Sequence, residues 1–155
     1  MSVSHSIGIA GLRVVTQPDT VRTVLGSCVG IALFDRAAHV GGLAHIILPS
    51  SAEGAGDRGK FADTAVDWLL DEVVRAGGLR GRIQAKIAGG ARMFGPNTTN
   101  GLGERNVAAV KERLHHQGVS LVAEDTGGEK GRKMLLDPAT GNVEVQFIGQ
   151  DPRVI

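Results

Sequence analysis

Two side chains in this sequence have the types and the spacing to do chemistry together. Cys28 is the sole cysteine among 155 residues and directly follows Gly26-Ser27. His45 interrupts an otherwise apolar run, Gly42-Leu43-Ala44-His45-Ile46-Ile47-Leu48. A thiol needs a nearby base or cation to act as a nucleophile near neutral pH, and imidazole suits that role. Taken singly, a cysteine is more often a small buried hydrophobe, and a histidine a core residue satisfied by a backbone carbonyl. The pairing argues for more. A Gly26-Ser27 turn would place the thiol at a strand end, with backbone N–H groups near Gly26 to Cys28 facing a developing oxyanion. A third group usually orients such a base. Thr23, Thr20 and Asp35 are the candidates. His5, His39, His115 and His116 are weaker bases for this role, since His39 falls in a turn and the last two end a helix.

These side chains must be positioned by a hairpin. Leu25 to Asp35 and Gly41 to Pro49 both read as strands. With a loop of Asp35-Arg36-Ala37-Ala38, Phe34 lies opposite His39, Ala32 opposite Gly41, and Cys28 opposite His45. Directly opposed residues share a face, with Cβ atoms roughly 4.5–5.5 Å apart. A loop longer or shorter by a single residue would put the two on opposite faces.

The rest of the chain supplies the scaffold. Ile7 to Val15 reads as one or two short strands bent at Gly11, and Val21 to Leu25 as another. Ser50 to Gly59 is a loop by composition. A helix follows in which Ala62, Ala65, Val66, Leu69, Val73 and Ala76 recur at helical spacing, with Gly77-Gly78 as its stop and Trp68 as its anchor on a sheet. Ile83 to Ala88 is a strand, Ala91 to Gly101 a loop around Gly95-Pro96-Asn97, and about Glu104 to His116 a second helix. Val119 to Ala123 is a strand, and Lys133 to Leu136 with Val143 to Ile148 a closing hairpin. Strands first, then helices interleaved with strands, then a hairpin: the expected class is α+β, with mixed or antiparallel sheets packed as a sandwich with flanking helices.

Length and composition fit a single domain over 1–155, with 42% apolar residues for its core. A net charge of +1 gives no argument for nucleic acid or a membrane surface. No apolar run approaches the ~20 residues needed to span a bilayer, and the N-terminal segment lacks the pattern of a secretory leader. One cysteine excludes an internal disulfide and a multi-cysteine metal site, which suits a reducing compartment. The expectation is a cytoplasmic protein without cofactor or metal. Gly89-Gly90 and Thr126-Gly127-Gly128 match no phosphate-binding pattern and read as tight turns. Thr126 to Arg132 reads as a mobile polar loop, and the cluster Lys130, Arg132 and Lys133 as a solvated segment, with contact to an acidic partner as the alternative.

Leu25-Gly26-Ser27-Cys28-Val29-Gly30, followed by His45 in Gly41-Gly42-Leu43-Ala44-His45-Ile46-Ile47-Leu48-Pro49, resembles the CheD family of chemoreceptor glutamine deamidases. The likeness continues through Gly59-Lys60-Phe61-Ala62-Asp63-Thr64-Ala65, Lys86-Ile87-Ala88-Gly89-Gly90-Ala91-Arg92-Met93-Phe94, Gly103-Glu104-Arg105-Asn106 and Ala123-Glu124-Asp125-Thr126-Gly127-Gly128. The resemblance implies a fold similar to toxin deamidases with a Cys-His pair. It implies hydrolysis of glutamine side chains to glutamate on the cytoplasmic helices of methyl-accepting chemotaxis receptors, with Cys28 as nucleophile and His45 as base. It also implies an upstream threonine, which aligns at Arg22 or one residue later at Thr23. Some members bind the phosphatase CheC, so a non-catalytic or dual-role adaptor for receptors or CheC is the alternative.

Overall fold

The structure, a computed structural model, describes residues 1–93 and 101–155. The part of the expected loop from 94 to 100, with Gly95-Pro96-Asn97, lies outside the described residues, as does Phe94.

The strands are β1 (Ser4–Ser6), β2 (Leu12–Thr16), β3 (Thr20–Leu25), β4 (Val29–Asp35), β5 (Val40–Ile46), β6 (Gln84–Gly89), β7 (Ser120–Thr126), β8 (Arg132–Asp137), β9 (Asn142–Phe147) and β10 (Arg153–Val154). Among the described residues the α-helices are α1 (Ala62–Arg75) and α2 (Leu102–His116). One sheet runs β1-β3-β8-β9-β10 and the other β2-β5-β4-β6-β7. Pairing is antiparallel except for β1 with β3 and β6 with β7, so the α+β sandwich of mixed sheets with flanking helices is what forms.

Three layers follow from where the side chains go. Val29, Ile31 and Leu33 of β4, with Ala44 and Ile46 of β5, pack with Ala65, Val66, Leu69 and Val73 of α1 and Val110 and Leu114 of α2. The alternate residues Ala32, Phe34 and Leu43 turn the other way, onto Val21, Leu25, Met134, Leu136, Val143 and Val145 of the first sheet. The second sheet is thus covered on both faces. That is why β4 and β5 are buried throughout and read as continuous apolar runs rather than as alternating ones.

The hairpin register differs from expectation by one residue on each strand. Asp35 pairs with Val40, Phe34 with Gly41, and Gly30 with His45. The loop is Arg36 to His39, not Asp35 to Ala38. The carboxylate of Asp35 accepts from Ala37 and Ala38 N–H at 3.1 and 3.2 Å, which keeps Asp35 in the strand. His39 closes the turn with φ 55.

Three further expectations are corrected. Residues 7–11 form no strand; they cross between the sheets as a turn, with Gly11 N–H donating to the Gly8 carbonyl. Trp68 does not anchor α1 on the sheet, because it falls off the stripe carrying Ala62, Ala65, Val66, Leu69 and Val73. It is half-buried beneath the Arg58 guanidinium, 4.2 Å from its ring centre. Arg132 is not solvated. It is buried, donates to the Asp125 carboxylate at 2.6 Å and carbonyl at 2.9 Å, and stacks on Phe147 at 4.8 Å. Desolvating a guanidinium is tolerated only with such partners.

Candidate active site

The alternation of β3 decides which of the three candidates can face His45. Val21, Thr23 and Leu25 point into the layer between the sheets, while Arg22 and Val24 point to solvent. Arg22 spends its guanidinium on Ser4, donating to its carbonyl at 2.8 Å. Thr23 is buried, and its Oγ1 lies 2.7 Å from Nδ1 of His45. The other candidates are elsewhere. Asp35 sits at the far end of β4, engaged with the Leu79 N–H at 2.8 Å and with Arg82. Thr20 is an odd number of residues from Thr23 and so faces away from it along the strand.

Proton bookkeeping fixes the state of the histidine. Thr23 Oγ1 donates its one hydrogen to the Ile7 carbonyl at 2.9 Å, since a carbonyl can only accept. The same oxygen must therefore accept from His45, which places a proton on Nδ1 and leaves Nε2 with a lone pair. Burial pushes the His45 pKa down to about 4, so the ring is neutral at pH 7. The backbone holds the ring's own residue as firmly: His45 N–H donates to Gly11 at 3.2 Å and its carbonyl accepts from Ala10 N–H at 2.8 Å.

Cys28 stands one residue before β4, on a bend spanning Gly26 to Cys28. It is two residues from Gly30, the residue opposite His45, so the thiol is a diagonal rather than a direct cross-strand neighbour of the imidazole. The shift of one residue on each strand preserves parity, and Cys28 packs into the inter-sheet layer, the side that also carries Thr23 and His45. Gly30, opposite His45, leaves room on that face for the side chains of Met134 and Leu25. A Cβ there would lie 2.5 Å from Met134 Sδ and 3.0 Å from Leu25 Cδ1.

Burial also raises the Cys28 pKa, opposed by a hydrogen bond from its own backbone N–H. Both partners thus rest neutral. A thiol and a neutral imidazole with a bare Nε2 suit proton transfer during attack better than a preformed ion pair. The expected backbone groups at Gly26 and Ser27 do lie on the bend, but the sequence did not reveal how the bend is held. Its carbonyls are all engaged: Gly26 by Ala91 N–H at 3.0 Å, Ser27 by Asn106 Nδ2 at 3.1 Å, and Cys28 by Gly90 N–H at 2.9 Å. Sequence reasoning missed two contributors, the Ile7 carbonyl and Asn106. Only the Gly103-Glu104-Arg105-Asn106 motif pointed toward the second.

A two-sheet α+β domain in which a threonine of one sheet meets a histidine of the other, with a cysteine packed into the same inter-sheet layer, is the class these observations define. Residues 47–147 match the family model described as CheD chemotactic sensory transduction. A relative from Syntrophomonas wolfei, named probable chemoreceptor glutamine deamidase CheD, is 43% identical over 161 residues, covering 100% of both chains. The chemoreceptor glutamine deamidase CheD of Halalkalibacterium halodurans is 43% identical over 96% of each chain. A probable CheD of Methanococcus vannielii is 48% identical over 84% of this chain and 86% of its own. The chain belongs to the CheD family. Among solved structures, protein NMB0706 of Neisseria meningitidis overlays with a TM-score of 0.49 at 10% identity, over 82% of this chain and 64% of that one, too loosely to carry further weight.

Proposed function

We propose that this protein hydrolyses glutamine side chains of chemotaxis receptors to glutamate, using Cys28 as nucleophile, His45 as general base and acid, and Thr23 to orient the base. The observation that carries the reading is the Thr23 bridge between the Ile7 carbonyl and His45 Nδ1, which commits a neutral histidine to a bare Nε2. The substrate class comes from the names of the relatives.

The thiol gives its proton to His45 Nε2 as Sγ bonds to the carboxamide carbon. Electrons of the C=O bond move to oxygen, and N–H groups of the Cys28 bend receive the oxyanion. The intermediate collapses with loss of nitrogen, which takes the proton from His45 and leaves as ammonia. Water then attacks the γ-glutamyl thioester while His45 again accepts a proton. Expulsion of sulfur and its reprotonation return the thiol and release glutamate. A neutral side chain becomes an anion, a local charge change that can bias a two-state receptor.

Such a protein acts in the cytoplasm, on the cytoplasmic helices of its receptors. No helix among the described residues is long and apolar enough to cross a membrane. The CheC phosphatase is the second partner this reading brings, checked by mixing the two purified proteins.

The deciding experiment incubates the protein with a receptor cytoplasmic fragment and follows ammonia release together with glutamine-to-glutamate conversion by mass. Conversion is expected with the intact chain and none with Cys28→Ala. Conversion that survives in Cys28→Ala removes the nucleophile assignment. Receptor binding without conversion by the intact chain replaces the hydrolase reading with that of an adaptor.

A further inference from the structure

Asn106 is a polar residue on the sheet-facing side of α2, fully buried in line with Val110 and Leu114. Its Nδ2 donates to the Ser27 carbonyl at 3.1 Å and to the Ile47 carbonyl at 3.1 Å. Carbonyls only accept, so these partners fix which end of the amide is the NH2. Its Oδ1 is buried with no hydrogen-bond partner among the described residues. A buried acceptor left unmatched is costly, and an apolar side chain of the same size would avoid that cost. Rules of this kind are broken where function demands it.

What Asn106 touches says what the demand is. Ser27 immediately precedes Cys28, and Ile47 follows His45 by two residues. One amide therefore ties the bend carrying the thiol to the end of the strand carrying the imidazole. It also sets a direction. In a planar trans peptide the C=O and the following N–H point oppositely. With the Ser27 carbonyl held toward α2, the Cys28 N–H is turned away from the helix layer, toward the inter-sheet face where the Cys28 side chain packs. The close approach of α2 is permitted by Gly103, where any side chain would run into the Gly90 and Ala91 carbonyls.

We propose that Asn106 is a positioning residue for the reaction: it aims the Cys28 N–H at the oxyanion and locks the nucleophile bend against the strand of the base. This rests on the assignment of Cys28 as nucleophile.

The test compares Asn106→Leu with the wild-type full chain in two reactions. Deamidation of a receptor fragment develops an oxyanion; alkylation of Cys28 by iodoacetamide does not. In Asn106→Leu, kcat is expected to fall by at least about tenfold with KM within about twofold, the signature of a contact made in the transition state. Alkylation, read by mass, is expected to keep its wild-type rate within about threefold. An unchanged kcat overturns the proposal, and so does alkylation that slows as much as deamidation, since Asn106 would then serve only to hold the cysteine. Should the leucine variant not fold, the wild-type protein still decides. The Asn106 side-chain amide protons are expected to exchange slowly with solvent, and exchange as fast as an exposed asparagine overturns the clamp. Activity surviving in Cys28→Ala would instead strike the underlying assignment, whereas a dead Cys28→Ala beside a fully active Asn106→Leu strikes this inference alone.

Discussion

At the scale of single residues, the site is a chain of obligations that starts at a backbone carbonyl. Ile7 C=O claims the only proton of Thr23, Thr23 can then only accept from His45, and His45 is left with one basic nitrogen. Thr23→Val keeps the shape and deletes the hydroxyl. It strands the Nδ1–H and the Ile7 carbonyl, so unfolding should become easier by about 1–3 kcal/mol. The deamidation rate should fall by roughly tenfold to a hundredfold as the ring loses its fixed tautomer. Thr23→Ser should restore most of both, read by urea unfolding and ammonia release. The acid behaviour follows from His45. Its folded pKa, about 4, lies below its ordinary 6.5. Between those values the unfolded chain binds a proton that the native state refuses, so stability is full above pH 6.5 and declines as pH falls toward 4, by about 3 kcal/mol at most. The acid limb of kcat/KM should likewise sit near 4 rather than 6.5. Urea midpoints at pH 7 and pH 4.5 test this. His45→Asn keeps a donor toward Thr23 but cannot titrate, and it should show a shallower drop. Cys28 and His45 were legible because thiols and imidazoles are rare and chemically distinct. Thr23 was only one of three hydroxyl or carboxyl candidates until strand alternation showed which of them faces the ring. Asn106 was illegible because an asparagine in a helix carries no sign of the carbonyls it will meet.

At the scale of elements, the hairpin shows why a sequence argument can be right about a face and wrong about a partner. Two strands flanking a short polar segment were readable, and so was the parity that puts residues 28 and 45 on one side. The register was not, because contacts from outside the hairpin act on Asp35 together with those of its own loop. Asp35 extends the strand because its carboxylate is claimed by Ala37, Ala38, Leu79 and Arg82 together. Burial alone would raise its pKa, yet the Leu79 N–H and the Arg82 guanidinium outweigh it and hold the carboxyl below its ordinary value. Two of those donors come from a segment more than forty residues away, which no local pattern announces. The helices were easier. The α1 stripe and its glycine stop lie within one stretch of sequence, and the expected span and Ala62–Arg75 nearly coincide. Trp68 misled because size was taken as a guide to burial, whereas helical phase sets which residues face the sheet.

At the scale of the whole molecule, the site is shared between layers. Thr23 belongs to the first sheet, Cys28 and His45 to the second, and Asn106 to the helix layer beyond it. A cleft of about 930 Å³, lined by Asp35, His39, Arg80 and Thr140, lies at the other end of β4, about 23 Å from Cys28 by strand rise. Cys28 instead stands at a half-buried strand end, which a segment of a protein substrate can reach without such a cavity. The expected consequence is that stability and activity separate along the length of the sandwich. Met134 and Leu136 both project from β8 into the inter-sheet core and both are fully buried. Met134 pairs with Thr23 and fills the space left by Gly30, opposite His45. Leu136 pairs with Val21 and packs over Gly41, farther from the site. Truncation to alanine should cost each variant about 2–5 kcal/mol of stability, because each leaves a cavity between the same two sheets. Only Met134→Ala should also lower kcat at a temperature well below both unfolding midpoints, since only that cavity lets Thr23 and the His45 ring drift apart. Equal losses of kcat in the two variants, measured by ammonia release beside thermal unfolding, would mean that the sheets move as one body and that the Thr23 bridge is insensitive to the packing beneath it.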